Sequence, residues 1–364
     1  MEPLTDFRDA HAVRRIAQEI AHLDLKRPVH LMEVCGGHTA AIYRYALQDL
    51  LPPGIELISG PGCPVCVTSN DFIDRAVSLS MLPDVTIATF GDLIRVPGST
   101  RSLADMRARG ADVRVFYSSA DALEWAKTHA GRTVIFMGIG FETTACTLAA
   151  TLGEATHDGV KNFRLLSALK TMPEALRTLF TAPDIQVDGL ILPGHVTTIV
   201  GLDAFEFVAR DFSIPCVVSG FEPVDLMETI RMLCLQIAEQ RASVENQYRR
   251  VVRKQGNVHA QELIREMFEQ CDMPWRGFGT IPASGLKVRA AFSEWDAANI
   301  PVEVEPMQED SACRCGDVLR GRIHPTQCPL FGKVCTPETP RGACMVSAEG
   351  ACAAVFQFSS ASHG

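Results

Sequence analysis

Short apolar runs, most of them closed by a glycine- or proline-rich turn, constrain the fold of this chain more than any other feature. They are VHLMEV before CGGHT, IELIS before GPGCPVC, VTIATF before GDLIRVPGS, VRVFY, VIFMGI before GFETT, GLILP before GHVTT, and CVVS before GFEP. A helical stretch usually follows each run. Strands that are apolar along their whole length have both faces covered, and strands alternating with helices build parallel sheets. The expected fold class is therefore α/β: several lobes with parallel sheets flanked by helices, plus an irregular C-terminal segment. Ahead of the first run, Asp6 to Leu23 carries Phe7, Ala10, Val13, Ile16, Ile20 and Leu23 at helix spacing. Turn-rich stretches near Gly98–Arg101 and Phe221–Asp225 suggest three units. Residues 1–100 would form a lobe with the N-terminal helix and the CGGHT and CPVC motifs, 101–221 a second lobe, and 222–364 a helical and cysteine-rich region. From Glu222 to Glu269 the pattern is almost wholly helical, and from about Pro301 it is irregular.

The polar and thiol residues fall just after the runs, not before them. Parallel sheets place ligands outside the carboxyl ends of their strands. Cys35, His38, Cys63, Cys66, Asp92, Glu142, His195 and Glu222 all hold such positions, and one cleft between two lobes is expected to gather them.

Six of the thirteen cysteines fall within forty residues: Cys313, Cys315, Cys328, Cys335, Cys344 and Cys352. Gly316, Gly321, Pro325, Pro329, Gly332, Pro337, Pro340 and Gly342 supply bends between them. A four-thiolate cluster needs just such convergence, so an iron–sulfur cluster is the leading reading. Structural zinc and inert core cysteines stay open, although zinc ribbons use two tight C-x2–4-C pairs. Here only Cys313 and Cys315 are tightly spaced, with one residue between them.

Cys63 and Cys66 make a C-x-x-C that follows a strand and precedes the helical segment SNDFIDRAVSLSML. The helix dipole lowers a thiol pKa there, and such a pair closes and reopens a disulfide by exchange. Half of a metal site is the competing reading. Cys35 lies on the first turn after a strand, with two glycines beside it and His38 three residues on. Soft thiolate and imidazole suit iron or zinc, while a lone cysteine after a strand also serves simple packing. Cys146, Cys216, Cys234 and Cys271 sit in apolar segments and read as core. GIGFETT matches neither a dinucleotide fingerprint nor a P-loop.

Composition limits the partners. The net charge is −9, and the arginines are mixed with acids, as in EQRASVENQYRRVVRKQ. Nucleic acid and anionic membranes reward clustered Lys and Arg, so neither is expected. No signal-peptide core and no run of about twenty apolar residues is present, which places the chain in the cytoplasm by expectation. In a reducing compartment thirteen cysteines divide between core, metal and redox roles.

Taken as an ordered set, MEVCGGHT, GPGCPVCVT, TFGDLIRVPGS, MGIGFETT, LPGHV, SGFEPVDLM, CGDVLRG and CPLFGKVCTPETPRGACMVSAEGAC resemble the HypD family of nickel–iron hydrogenase maturation proteins. The resemblance runs from about residue 31 to 355. It implies three α/β-type lobes with a 4Fe-4S cluster near the C-terminus. It implies a complex with a HypC-like small protein, and a transient iron that acquires cyanide and carbon monoxide ligands. The cyanide would come from a HypE-like donor. By motif, Cys35 is the iron ligand with His38 beside it, and Cys63 and Cys66 are the redox pair. Cys328, Cys335 and Cys352 hold the cluster with Cys313, or with Cys315 as the alternative fourth ligand. Cys313 is preferred for its spacing of fourteen, six and sixteen residues. Glu349 matches a motif acid close to the cluster ligands. Two positions depart from the family pattern: Ala40 stands where a second histidine is usual, and Ser69 where a proline is usual.

Three functions follow. The first is a scaffold for assembling the iron centre, with electrons from the cluster and the C-x-x-C pair. The second is an iron–sulfur disulfide reductase, and the third a zinc-stabilised adaptor. A free-standing reductase gives Cys35 and His38 no role, and an adaptor leaves CPVC purely structural.

Overall fold

The computed structural model describes residues 7–183, 185–307 and 311–359. It contains two sheets, built from eleven strands in chain order: β1 (Val29–Glu33), β2 (Ile55–Ser59), β3 (Val85–Thr89), β4 (Asp112–Val115), β5 (Thr133–Gly140), β6 (Phe163–Lys170), β7 (Gly189–Pro193), β8 (Cys216–Ser219), β9 (Val244–Asn246), β10 (Phe268–Trp275) and β11 (Gly279–Val288). The first sheet is parallel throughout, in the order β2-β1-β7-β8-β9. The second runs β10-β11-β6-β5-β3-β4; β6, β5, β3 and β4 are parallel, and the β10–β11 hairpin is antiparallel. Every residue of β3, β7 and β8 is buried, as strands covered on both faces must be. An α/β class with parallel sheets and an irregular cysteine-bearing tail is thus what the chain adopts.

On the first sheet the helices Ala10–Ala21 and Pro223–Ala238 pack against each other. They bury Val13, Ile16 and Ile20 with Leu226, Ile230 and Leu233 in one core. Removing one such side chain, as in Leu233→Ala, costs about 2–5 kcal/mol. The expected N-terminal helix is real over Ala10–Ala21; Asp6, its expected start, lies outside the described residues.

The lobes are not consecutive in sequence. Residues 29–59 and 189–246 supply the first sheet, and 85–170 with 268–288 the second. The chain leaves the first sheet after β2, completes most of the second, and returns at β7. A division at residues 100 and 221 therefore cuts through both sheets. Turn composition marks where a strand ends; it does not say which sheet receives the next one. Strand β9 and the connection after it interrupt the run expected to be helical from Glu222 to Glu269. Three further strands had no clear signal. β10 carries Pro274 and is an edge strand, where a missing N–H is tolerated. β11 contains Pro282 and two glycines, and β6 ends in the buried Lys170.

Candidate functional site

Strand order creates two crevices. In the first sheet β1 connects toward β2 while β7 connects toward β8 on the other side, so the turns after β1 and β7 diverge. In the second sheet the turns after β3 and β5 diverge in the same way. Such switch points are where parallel sheets bind ligands. Cys35 and His38 follow β1, and His195 follows β7; Asp92 follows β3, and Glu142 follows β5.

Cys35 caps the helix Gly36–Arg44, and its carbonyl accepts the amides of His38 (2.9 Å) and Thr39 (3.1 Å). Its own amide donates to Glu33 Oε2 at 2.9 Å. Thr39 Oγ1 donates to the other Glu33 oxygen at 2.5 Å. Glu33 is buried inside an apolar strand, and that burial pushes its pKa up to about 8, against the hydrogen bonds from Thr39 and Cys35. Burial likewise pushes the Cys35 thiol up to about 12, helped by Glu349 and Glu33, although the residue keeps some exposed surface. The thiol is thus held protonated until something replaces the proton.

The CPVC turn lies directly against this site. The Gly62 carbonyl accepts the Gly36 amide at 3.2 Å, and a Cβ at Gly62 would fall 2.1 Å from the Cys35 nitrogen. Only glycine permits that approach. Cys63 and Cys66 are both buried and joined as a disulfide, with Cα atoms 5.2 Å apart. Cys63 caps the short helix Pro64–Val67, and Ser69, the departure from the family pattern, caps the helix Asn70–Leu79.

His38 is fully buried, and neither ring nitrogen has a hydrogen-bond partner of good geometry. Burial drives its pKa down to about 4, an effect that the backbone of Ser219 and Gly220 offsets only in part. Its ring packs on Phe221 at 4.8 Å, and the exposed His195 stacks on Phe221 at 3.9 Å. Phe221 is held by the turn after β8, where buried Asp225 takes a bidentate ion pair from Arg250 and a bond from Gln247.

The tail closes the site. A Cβ on Gly36 would lie 2.8 Å from Glu349 Oε2, so Glu349 rests against the start of the Cys35 helix. Ser347 Oγ donates to Asp92 Oδ2 at 2.8 Å. Burial and the charge of Asp92 raise the Glu349 pKa, although the residue is exposed overall. The C-terminal segment therefore bridges the two switch points, bringing Cys35, Asp92 and Glu349 together. Glu222 turns away, paired with Arg8 at 2.5 and 2.8 Å. Glu142 is buried, accepting the Met172 amide at 3.0 Å, and burial lifts its pKa to about 7. Nothing brings either acid to Cys35, so the single cleft gathers only part of the expected set.

All six tail cysteines line one small cavity of about 10 Å³, with Val318, Leu330, Phe331 and Met345 as apolar walls. Among the described residues no three ligating side chains enclose a single point; the thiols surround a space. Cys313 is pushed up to about 12 by burial and by Cys315, Cys328 and Cys335. The Arg341 amide donates to Cys335 Sγ at 3.3 Å. Cys315 Sγ lies 2.7 Å from Cys344 Sγ. Four thiolates around an apolar space suit an iron–sulfur cluster, and this donor set supplies more than four.

Sequence reasoning did not single out Glu33 or Phe221, and it counted Cys344 in the tail cluster without giving it a role of its own. An acid inside an apolar run was the available signal for Glu33. Nothing local marks Phe221, whose role comes from two histidines on other turns.

Two mostly parallel α/β sheets whose switch points are joined by a thiol-rich tail define the class. The chain matches the family model HypD, described as "Hydrogenase formation hypA family", over residues 11–359. It is 44% identical to the hydrogenase maturation factor HypD of Rhodobacter capsulatus, over 99% of each chain. It is 45% identical to HypD of Escherichia coli K12, over 95% of this chain and 94% of that one. The hydrogenase expression/formation protein HupD of Azotobacter chroococcum is 42% identical, over 98% and 97%. The chain belongs to the HypD family, and its role is in hydrogenase maturation. Among the described residues no helix is long and apolar enough to cross a membrane.

Proposed function

We propose that this protein is the scaffold on which the iron of a nickel–iron hydrogenase acquires its cyanide and carbon monoxide ligands, working in the cytoplasm. The observation that carries the reading is the placement of Cys35 at a switch point, with the Cys63–Cys66 pair on one side and Glu349 on the other. Iron is the cargo and Cys35 its thiolate anchor. One thiolate holds iron weakly, so a HypC-like small protein supplies a further ligand at the interface, and a HypE-like protein delivers cyanide. His38, kept neutral by burial, orients the thiolate or hands on a proton. The unmet hydrogen-bonding capacity of its ring is what a bound centre would satisfy.

Cys313, Cys328, Cys335 and Cys352 would hold a 4Fe-4S cluster. Cys313 is preferred to Cys315 for its spacing from Cys328. When bound, the cluster supplies single electrons. The Cys63–Cys66 disulfide takes up two electrons and two protons to become two thiols, storing reducing equivalents beside the anchor. Glu349 links the tail to the Cys35 helix and places a carboxyl where protons move.

Complementation tests the reading. In a strain lacking its own HypD and supplied with this gene, hydrogenase activity should return with the wild-type protein. It should stay absent with Cys35→Ala or with Cys63→Ala/Cys66→Ala. Activity restored by either variant overturns the assigned roles.

A further inference from the structure

A half-open cleft of about 770 Å³ lies beside the thiol cavity, and Cys313 and Cys315 line both. Five arginines line this cleft, Arg95, Arg101, Arg276, Arg320 and Arg341, against three carboxylates, Asp105, Asp317 and Glu338. The carboxylates are largely committed. Asp105 serves the capping box of Ser102, and Asp317 lies between Arg314 and Arg322. Glu338 feels the charge of Arg95. In a chain of net charge −9, this is a local reversal of sign.

Arg276 adds a fixed positive charge to the wall of the cleft. Its side chain is buried at 8% exposure, and its Nε donates to the Thr68 carbonyl at 2.9 Å. Its Nη2 is buried with no hydrogen-bond partner among the described residues. A guanidinium only partly compensated in the wall favours anions in the cleft through its field. The turn carrying Arg276 and Gly277 packs on Gly316, next to Cys315. The unmet guanidinium is thus fixed to the wall behind which the thiols converge. Arg95 and Arg341 are exposed at the rim.

We propose that this cleft docks an acidic one-electron carrier protein, which reduces the tail centre through the Cys313/Cys315 wall. The inference rests on the cluster assignment above. Carboxylates of the carrier meet Arg95, Arg101 and Arg341, and Arg276 adds its charge from the wall behind them. One electron leaves the reduced carrier and enters the thiol-held centre, so the carrier is oxidised and the centre reduced by one electron each. No covalent bond is made or broken. Two such transfers, with two protons from solvent, match the reduction of one disulfide.

The probe is plant-type 2Fe-2S ferredoxin, an acidic low-potential carrier, offered to the full-length anaerobic protein. Labelled ferredoxin should bind at low salt and release as salt rises, while cytochrome c, a basic protein of similar size, should not bind. Arg95→Glu/Arg341→Glu should weaken ferredoxin binding by at least about tenfold, the lower end of electrostatic steering. It should slow ferredoxin-driven bleaching of visible absorbance by a similar factor. Photoreduction by deazaflavin, which needs no docking, should keep its wild-type rate. Arg276→Gln should act in the same direction, and if that variant fails to fold, the rim pair still decides. Unchanged binding in the rim variant, equal binding of cytochrome c, or full displacement of ferredoxin by inorganic phosphate at micromolar concentration overturns the proposal. A protein without visible absorbance overturns the cluster assignment instead, and the binding measurement still reports on docking.

Discussion

The Cys35 site and the tail cavity both use thiols, but they are built in opposite ways. Cys35 sits where a strand ends, its backbone fixed by Glu33, by the Gly62 carbonyl and by its own helix. The tail cysteines come from short turns and helices, and their sulfurs meet mainly one another, as Cys315 meets Cys344, with the Arg341 amide on Cys335. The first site is preorganised by a sheet, as the proposed iron cargo would require. On the proposed reading the second would draw its order from the cluster its thiols hold, as small metal sites do when binding and folding are coupled. A site that must load and release iron benefits from geometry that survives unloading, whereas a permanent electron store has no such need.

The sharpest way to break this contrast is to remove thiols from each side. Cys328→Ala, Cys335→Ala or Cys352→Ala should abolish bound iron and sulfide, about four of each per chain in the wild type. The apparent melting midpoint should fall by about 5 °C or more, because a ligand bound only to the folded state is lost. Stoichiometric zinc without sulfide in the wild type would replace the cluster by a structural ion. Separate Cys313→Ala and Cys315→Ala variants sharpen the picture: iron should be lost from the first and kept in the second.

A smaller effect is expected at the CPVC turn. Alkylation across a redox titration should show Cys63 and Cys66 passing together between an unlabelled and a doubly labelled form, with the fold intact in both. Labelling of both thiols under oxidising conditions would remove the redox role.

The smallest effect is electrostatic. The pKa of His38 falls to about 4 in the folded chain, below the ordinary value of 6.5. Above the ordinary value both states are neutral and the group is silent. As pH falls from there toward 4, the unfolded chain takes up a proton that the folded chain refuses, so stability is lost with a slope of up to about one proton. Glu33, raised to about 8, has the opposite sign: its stabilisation is present at low pH and lost as pH rises through 8. Denaturant titrations of wild type and His38→Gln should therefore diverge only on the acid side, the variant losing less stability. Parallel curves between pH 4 and 6.5 would mean that the imidazole titrates normally.

Sequence showed these regions unequally. The apolar runs ending at Val34, Pro193 and Ser219 announced buried parallel strands and put Cys35 and His195 at their carboxyl ends. The interleaving of the two sheets was invisible, because a parallel strand pairs with a neighbour that local pattern does not name. β10 was hidden by Pro274, which an edge strand tolerates, and β11 by two glycines and by Pro282, which falls where the hairpin register shifts. In the tail the thiol count was enough to expect convergence. The partnership of Cys315 with Cys344, and the link from Glu349 to Gly36, depend on turns whose path no periodicity encodes.

The central claim is that Cys35 anchors the nascent iron while the tail cavity serves it from a distance. Infrared spectra of the protein co-purified anaerobically with its HypC-like partner test it directly. Wild type should show cyanide and carbonyl stretching bands. Cys35→Ala should lose them while retaining the fold, the tail iron and the sulfide, and His38→Ala should weaken them. Full-intensity bands in the Cys35→Ala complex would contradict the account and move the anchor to the Cys63/Cys66 pair.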